Sequence, residues 1–322
     1  MIGVKTPFRV SFAGGSSDIA YYYKKYGGKV ISSSINKYMF HFINEYRNKK
    51  ETLIKYSRTE LIKDKREIKH PIVREISKLY NIKGLDIHSI ADIPKGSGLA
   101  SSSAYTVGLI KGLSYLNNKD LTKEEIAQMA CMVEIDKLKE PIGKQDQYAA
   151  SYGGLNLIKF NKDDTVSVKR IKISKENLIF LSSSFLLVKV GKSRNASKIL
   201  GIQKENIKDE EVLNNIHEIQ GLVEPMFSAF KTVDIKKIGE ILTYNWELKS
   251  SLTNLTSNKL IDQMFKDISK IKGFYGGKLL GAGGSGYFLI VGNQAAIRTI
   301  SNKFETIRFS FDFKGSEVII DS

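Results

Sequence analysis

Cysteine, arginine and long apolar runs are all scarce in this sequence. The single cysteine, Cys131, leaves no intrachain disulfide partner, which excludes a disulfide-stapled scaffold. It falls within an apolar helical pattern and reads as a buried structural thiol of a reducing cytoplasm. No apolar run approaches the roughly 18 residues that span a bilayer. The opening MIGVKTPFRVSFAGG has no sustained apolar stretch of the kind a signal peptide carries, so no membrane partner is expected. Arginine supplies only 9 of the 50 basic residues, and the lysines are spread from end to end. The net charge of +16 therefore does not mark a specific nucleic-acid reader, and an anionic small substrate explains part of it equally well. No internal repeat is present.

What is there fits a soluble globular protein: 42% hydrophobic and 26% charged residues over 322 positions, enough for one large domain or two ordinary ones. The patterning predicts strands at 4–12, 29–34, 38–46, 84–91, 155–160, 165–171 and 185–190, then near 278–281, 286–291, 307–313 and 316–320. Helices are predicted at 18–26, 71–80, 101–117, 122–138, 209–231, 235–250, 258–271 and 293–303. Thr122 and Glu125 form a capping box for the fourth of these. Hairpins and helices mix without strict alternation, so the fold class is α+β. A boundary near 175–184 divides the chain into domains 1–180 and 181–322.

PKGSGLASSSAY, residues 94–105, sets glycines and serines directly before a helical ladder of Ala104, Val107, Ile110, Leu113 and Leu116. A helix N-terminus carries unpaired N–H groups and about half a positive charge. Gly96 and Gly98 would let backbone approach an anion, and Ser101, Ser102 and Ser103 add hydroxyls, one of which can ligate a metal. This is the composition of a phosphate cradle. It is not a Walker A loop, because no Gly-Lys-Ser or Gly-Lys-Thr follows. The alternative is a Gly-rich turn with a serine cap.

EIDKLKEPIGKQDQ, residues 134–147, offers two hard-oxygen carboxylates, Glu134 late in a helix and Asp146 beyond the Pro141 break. GAGGSG, residues 281–286, matches a dinucleotide fingerprint only by spacing. A strand pattern, Tyr287 to Val291, follows it rather than a helix. It reads as a hairpin with close backbone approach.

The first motif resembles the PxxxGLGSSAA signature of the GHMP superfamily of small-molecule kinases, with Ala100 for its third glycine and Ser103 for an alanine. That resemblance implies a two-domain fold: a ribosomal protein S5 domain 2-like N-terminal domain and a ferredoxin-like C-terminal domain. It implies ATP and Mg²⁺ as cofactors, with ATP phosphates wrapped by Pro94, Gly96, Ser97, Gly98, Leu99, Ala100, Ser101, Ser102 and Ser103. GKQDQ resembles the superfamily's x-D-Q context, which makes Asp146 the catalytic base and Glu134, with Ser102, the metal ligand; Asp136 matches less well. TPFRVSFAGGSSD resembles the substrate motif and places Arg9 and Asp18 at its basic and acidic positions. A cation near Asp146 would offset charge on the transferring phosphoryl group. Gly283 and Gly284 fall in a third Gly-rich motif expected at the substrate.

Within the superfamily, RVSFAGGSSDIAYYY, SSSINKYMF, GKQDQYAASYGGLN and GKSRNASKIL are similar to D-glycero-D-manno-heptose 7-phosphate kinases. Such an enzyme phosphorylates the anomeric hydroxyl, and Lys144 and Arg194 would then meet the substrate phosphate. The alternatives are a kinase for an unphosphorylated sugar of fucose or uronic-acid type, a non-catalytic sugar sensor, or a basic RNA-binding module. A cytoplasmic monomer or homodimer is expected.

Overall fold

The computed structural model describes residues 1–191, 199–202, 206 and 209–322. The strands are β1 (Ile2–Ala13), β2 (Gly28–Glu45), β3 (Thr52–Lys55), β4 (Thr59–Ile62), β5 (Leu85–Ala91), β6 (Leu155–Phe160), β7 (Val166–Arg170) and β8 (Phe185–Val190). They continue with β9 (Phe274–Leu279), β10 (Gly286–Gly292), β11 (Thr306–Ile307) and β12 (Glu317–Asp321). An eight-stranded sheet runs β12-β1-β2-β5-β3-β4, with β6 attached to β2 and β7 to β6. A four-stranded antiparallel sheet runs β11-β8-β10-β9, the order of a split βαβ unit. The expected α+β class and the ferredoxin-like second half are both seen.

Several elements differ from the sequence pattern for identifiable reasons. The strands expected at 29–34 and 38–46 are one strand, β2, because pairing with β1 passes from Phe8↔Ile35 to Pro7↔Tyr38. Asn36 and Lys37 are the extra residues of that irregularity, so the polar interruption is a bulge rather than a break. The helix expected over 209–231 is two, Glu210–Gly221 and Val223–Thr232. Pro225 lacks the N–H an interior helical position needs, and it sits in the first turn of the second helix. Of the strand expected at 307–313 only Thr306–Ile307 pairs continuously. Phe309 and Phe311 turn inward as aromatic packing on Phe185 instead.

The short strands β3 and β4 and the helices Gln145–Tyr152 and Lys175–Ser184 were not expected. The capping box is present, with Thr122 Oγ1 accepting from the Glu125 N–H. Its helix, however, ends at Cys131 and continues as a π-helical turn, Met132–Lys137.

The core runs through both sheets. Phe12 at the end of β1 is fully buried, 5.5 Å from the ring of Phe185 and 4.8 Å, edge-on, from that of Phe230. We propose the division at 180/181 as the point where the chain leaves the first sheet for the second. The helix Lys175–Ser184 spans it, and β12 returns to pair with β1. Among the described residues no helix is long and apolar enough to cross a membrane.

Because Phe12 is shared by both halves, Phe12→Ala is expected to cost about 3–5 kcal/mol. Urea denaturation should show one earlier transition, with tryptophan fluorescence from Trp246 and far-UV circular dichroism coinciding.

Candidate active site

Arg9 lies on β1 with its side chain buried, and everything at the site is arranged around its guanidinium. Nε donates to Asp146 Oδ1 at 2.7 Å, Nη2 to Asp146 Oδ2 at 2.9 Å, and Nη1 to the carbonyl of Gly98 at 2.6 Å. The Arg9 backbone N–H also donates to Leu99 O at 3.1 Å. One side chain thus fixes both carboxylate oxygens of Asp146 and the Gly-rich loop. Fork-to-fork pairing sets orientation as well as energy. Asp146 sits in the first turn of the helix Gln145–Tyr152, where the peptide dipoles favour negative charge.

The loop before the helix Ser101–Leu116 is built from residues in left-handed conformation: Gly96 (φ 80°), Gly98 (φ 75°) and Ala100 (φ 66°). Ala100 stands where the resembled signature has glycine, and a left-handed non-glycine costs about 1–2 kcal/mol. A Cβ on Gly98 would lie 2.6 Å from Leu280 O, and one on Gly281 would lie 2.5 Å from the Gly98 Cα. The third Gly-rich loop therefore packs on the first, and β10 follows it, which removes the dinucleotide reading.

A cavity of about 660 Å³ opens between these loops. Arg9, Asp18, Gly96, Gly98, Ala100, Ser101, Ser102, Ser103, Glu134 and Asp146 line it; Pro94, Ser97 and Leu99 do not, and Ser97 and Leu99 are buried beneath the loop. Glu134 projects from the π-helical turn and is buried. Ser102 Oγ donates to its Oε1 at 2.6 Å and Gln147 Nε2 to its Oε2 at 2.8 Å. Burial pushes the Glu134 carboxyl above its ordinary range and the charge of Asp146 adds to this. Hydrogen bonds from Ser102, Ser103 and Gln147 oppose it. A buried carboxylate touching a hydroxyl is a hard-oxygen pair suited to Mg²⁺, with phosphate and water oxygens completing the shell. The residues fit that ion.

Asp18 is buried against Gly143, where a Cβ would lie 2.0 Å from Asp18 Oδ2. The Gln145 N–H donates to the same oxygen at 3.2 Å. Burial first, and then the charge of Asp146, push the Asp18 carboxyl up to about 6; the Gln145 N–H and Arg9 pull the other way.

Some expected residues are not brought in. Lys144 is turned away from the cavity: its Nζ donates to Asp164 Oδ1 at 2.6 Å and lies 5.2 Å from the ring centre of Tyr23. The helix Gln145–Tyr152 begins immediately after it, and two residues at about 100° each turn Lys144 and Asp146 to opposite sides. This placement does not bring Lys144 to the cavity where a substrate phosphate was expected. Gly283 and Gly284 also stand outside the cavity lining. They pack on Thr256, whose carbonyl accepts the Gly284 N–H at 2.8 Å, while Gly281 and Ala282 face the cavity. Asp136 is exposed and outside the cavity lining. Arg194 lies outside the described residues.

Three cavity lysines were missed: Lys95 in the Gly-rich loop, and Lys249 and Lys278 from the second half of the chain. Lys249, at the end of the helix Ile235–Ser250, donates to Leu279 O at 3.3 Å and also to Gly281 O. Burial and Arg9 push its ammonium down to about 7, against the charges of Asp146 and Asp18. Lys278, on β9, is buried and donates to Asn245 Oδ1 at 2.6 Å and Phe12 O at 3.3 Å. Burial, with Lys249 and Arg9 nearby, holds it well below the lysine range. The available signals were a lysine inside the apolar strand FYGGKLL and the i, i+4 spacing of Asn245 and Lys249.

Residues 66–154 match the family model of the GHMP kinases N terminal domain. A curated relative, the D-glycero-alpha-D-manno-heptose 7-phosphate kinase of Campylobacter jejuni, is 30% identical over 298 residues, 89% of this chain and 88% of its own. This chain belongs to the GHMP kinases. Galactokinase of Pyrococcus furiosus is 26% identical over 334 residues, 94% of this chain and 92% of its own. A solved structure titled a D-glycero-D-manno-heptose 1-phosphate kinase, from Bacteriodes thetaiotaomicron, superposes with a TM-score of 0.80 over 100% of both chains at 23% identity, which shows the fold. As a GHMP kinase the protein is a phosphotransferase acting on an alcohol group, with ATP as phosphate donor.

Asp18 carries a stability cost whose sign is fixed. Its folded-state carboxyl titrates near 6 rather than at the ordinary 3.8, so between those values the folded chain holds the extra proton. Stability therefore falls as pH rises through that window and the cost is complete above it, roughly 2–3 kcal/mol at most. Asp18→Asn is expected to be more stable than the parent at pH 7.5, with the difference vanishing below about pH 4, as read by urea denaturation at both pH values.

Proposed function

We propose that this GHMP kinase transfers the γ-phosphate of Mg²⁺-ATP to the anomeric hydroxyl of D-glycero-D-manno-heptose 7-phosphate. The product is the 1,7-bisphosphate, which feeds nucleotide-activated heptose and surface-glycan synthesis in the cytoplasm. The observation that carries this reading is the full-length likeness to the Campylobacter jejuni heptose kinase.

The residues have roles that the geometry supports. The loop Gly96–Ser103 cradles the donor phosphates with backbone N–H groups at the start of its helix. Glu134 and Ser102 would hold Mg²⁺, which when bound supplies charge neutralisation on the phosphate oxygens. Asp146 takes the proton of the acceptor hydroxyl, and an anomeric hydroxyl is acidic enough for a carboxylate to serve. Arg9 holds Asp146 in place and faces the transferring group. Asp18 accepts hydrogen bonds from sugar hydroxyls.

A second reading is a kinase for an unphosphorylated sugar. The galactokinase likeness favours it, as does the engagement of Lys144 with Asp164. A sensor without catalysis is disfavoured by the assembled Arg9, Asp146 and Glu134.

ADP release should be measured with heptose 7-phosphate beside heptose, fucose and galactose. Preference for the 7-phosphate is expected, and turnover confined to an unphosphorylated sugar would establish the second reading. Asp146→Asn should lose about 10²–10⁴-fold in kcat while still binding ATP; undiminished turnover would remove the base. Glu134→Gln should shift the Mg²⁺ titration at least about tenfold to higher concentration. An unchanged titration would refute the ligand assignment.

A further inference from the structure

The cavity has two unlike walls. The wall from the first half of the chain carries the phosphate cradle and the acidic pair Asp18 and Asp146. The wall from the second half carries Asn245, Lys249, Lys278, Gly281 and Ala282. Lys249 and Lys278 are the only cations on it among the described residues, and their hydrogen-bond partners are all neutral: the carbonyls of Leu279, Gly281 and Phe12 and the amide oxygen of Asn245. Each ammonium has three N–H donors and uses two here, so one remains on each. Neither forms an ion pair with a carboxylate among the described residues, whereas Arg9 pairs with Asp146 and Lys144 with Asp164. Neither cation has a carboxylate bonded to it, Asp18 and Asp146 acting on Lys249 only from a distance, so an anion arriving at this wall gains direct charged hydrogen bonds.

The polar groups between the lysines and Asp146 say what else the ligand carries. Phe12, whose carbonyl Lys278 contacts, is three residues along β1 from Arg9, about 10 Å at strand rise. Ser11 lies between them on the same face as Arg9 and lines the cavity. Its Oγ is buried without a partner, as is Gln145 Oε1. Orphaned buried hydrogen-bonding groups in a cavity wall point to partners supplied by a ligand.

We infer that Lys249 and Lys278 form the subsite for a phosphate carried by the acceptor, with Ser11 and Gln145 meeting hydroxyls between that phosphate and the hydroxyl placed on Asp146. This inference rests on the reading of the acceptor as a sugar phosphate. It reassigns to the second half of the chain the cationic role first expected of Lys144.

The test compares the parent, Lys249→Met, Lys249→Arg and Lys278→Met at saturating Mg²⁺-ATP, with heptose 7-phosphate and heptose as acceptors. The ratio of kcat/KM for the phosphorylated over the unphosphorylated sugar is expected to fall about 10- to 100-fold in Lys249→Met, the range of a lost charged hydrogen bond, and to recover partly in Lys249→Arg. An unchanged ratio, whatever the absolute loss, would overturn the inference and assign the lysine to the transferring phosphoryl group. Lys278→Met removes a contact between β1 and β9 and can fail to fold, so Lys249 carries the kinetic arm.

If the parent phosphorylates no heptose, the proposed function fails and the subsite is read by binding alone. Inorganic phosphate is titrated calorimetrically with a non-hydrolysable ATP analogue occupying the cradle. A dissociation constant at least about tenfold weaker in Lys249→Met supports the subsite. Equal constants, or no phosphate binding by the parent, overturn it.

Discussion

The fork between Arg9 and Asp146 is the constraint on which the rest of the site depends. Arg9 belongs to a strand fixed between β2 and β12, whereas Asp146 begins a short helix and Gly98 belongs to a loop of left-handed residues. Neither the helix nor the loop would be rigid alone. The guanidinium gives them a shared reference on the sheet, and its planar fork fixes their relative placement. The third Gly-rich loop then closes on Gly98 because both positions lack a Cβ. Backbone approach at Gly98 and Gly281 joins the two halves at the cavity, alongside the Lys278 contact with the Phe12 carbonyl.

Around this fork the protein buries charge that folding alone would avoid. Asp18 and Glu134 are carboxyls raised by burial, and Lys249 and Lys278 are ammoniums lowered by it. The compensations inside the chain are partial: one backbone N–H for Asp18, a hydroxyl and an amide for Glu134, neutral oxygens for the lysines. Glu134 is also carried on a π-helical turn, a geometry less favourable than the α-helix it extends. Such concentrations of unbalanced charge and local strain belong where ligands complete the balance.

Legibility in the sequence followed the range of the interactions. The helix Ser101–Leu116 and the capped helix from Lys123 were readable because periodicity and capping are local. The four-residue strands β3 and β4 were not, since TLIK and TELI carry too few residues to set a pattern. The helix Gln145–Tyr152 was missed because QDQYAASY has no amphipathic stripe; nearly all of it is buried, and its neighbours, not its composition, make it a helix. At the site, Arg9, Asp18, Ser102, Glu134 and Asp146 were found through motifs, and the structure brings them around one cavity. Lys144 is not brought to that cavity, because nearness to Asp146 in the chain says nothing about which side of a helix start a side chain leaves.

Residue order alone determined the Gly-rich cradle before a helix, the strand after GAGGSG and the acid and base types available for phosphoryl transfer. These depend on backbone freedom and periodicity within a dozen residues. The tertiary structure decided which lysines face the cavity, because Lys249 and Lys278 meet Arg9 only when β9 and its helix close against β1. Burial and electrostatic proximity are properties of the packed pair of sheets, and no local stretch of sequence contains them.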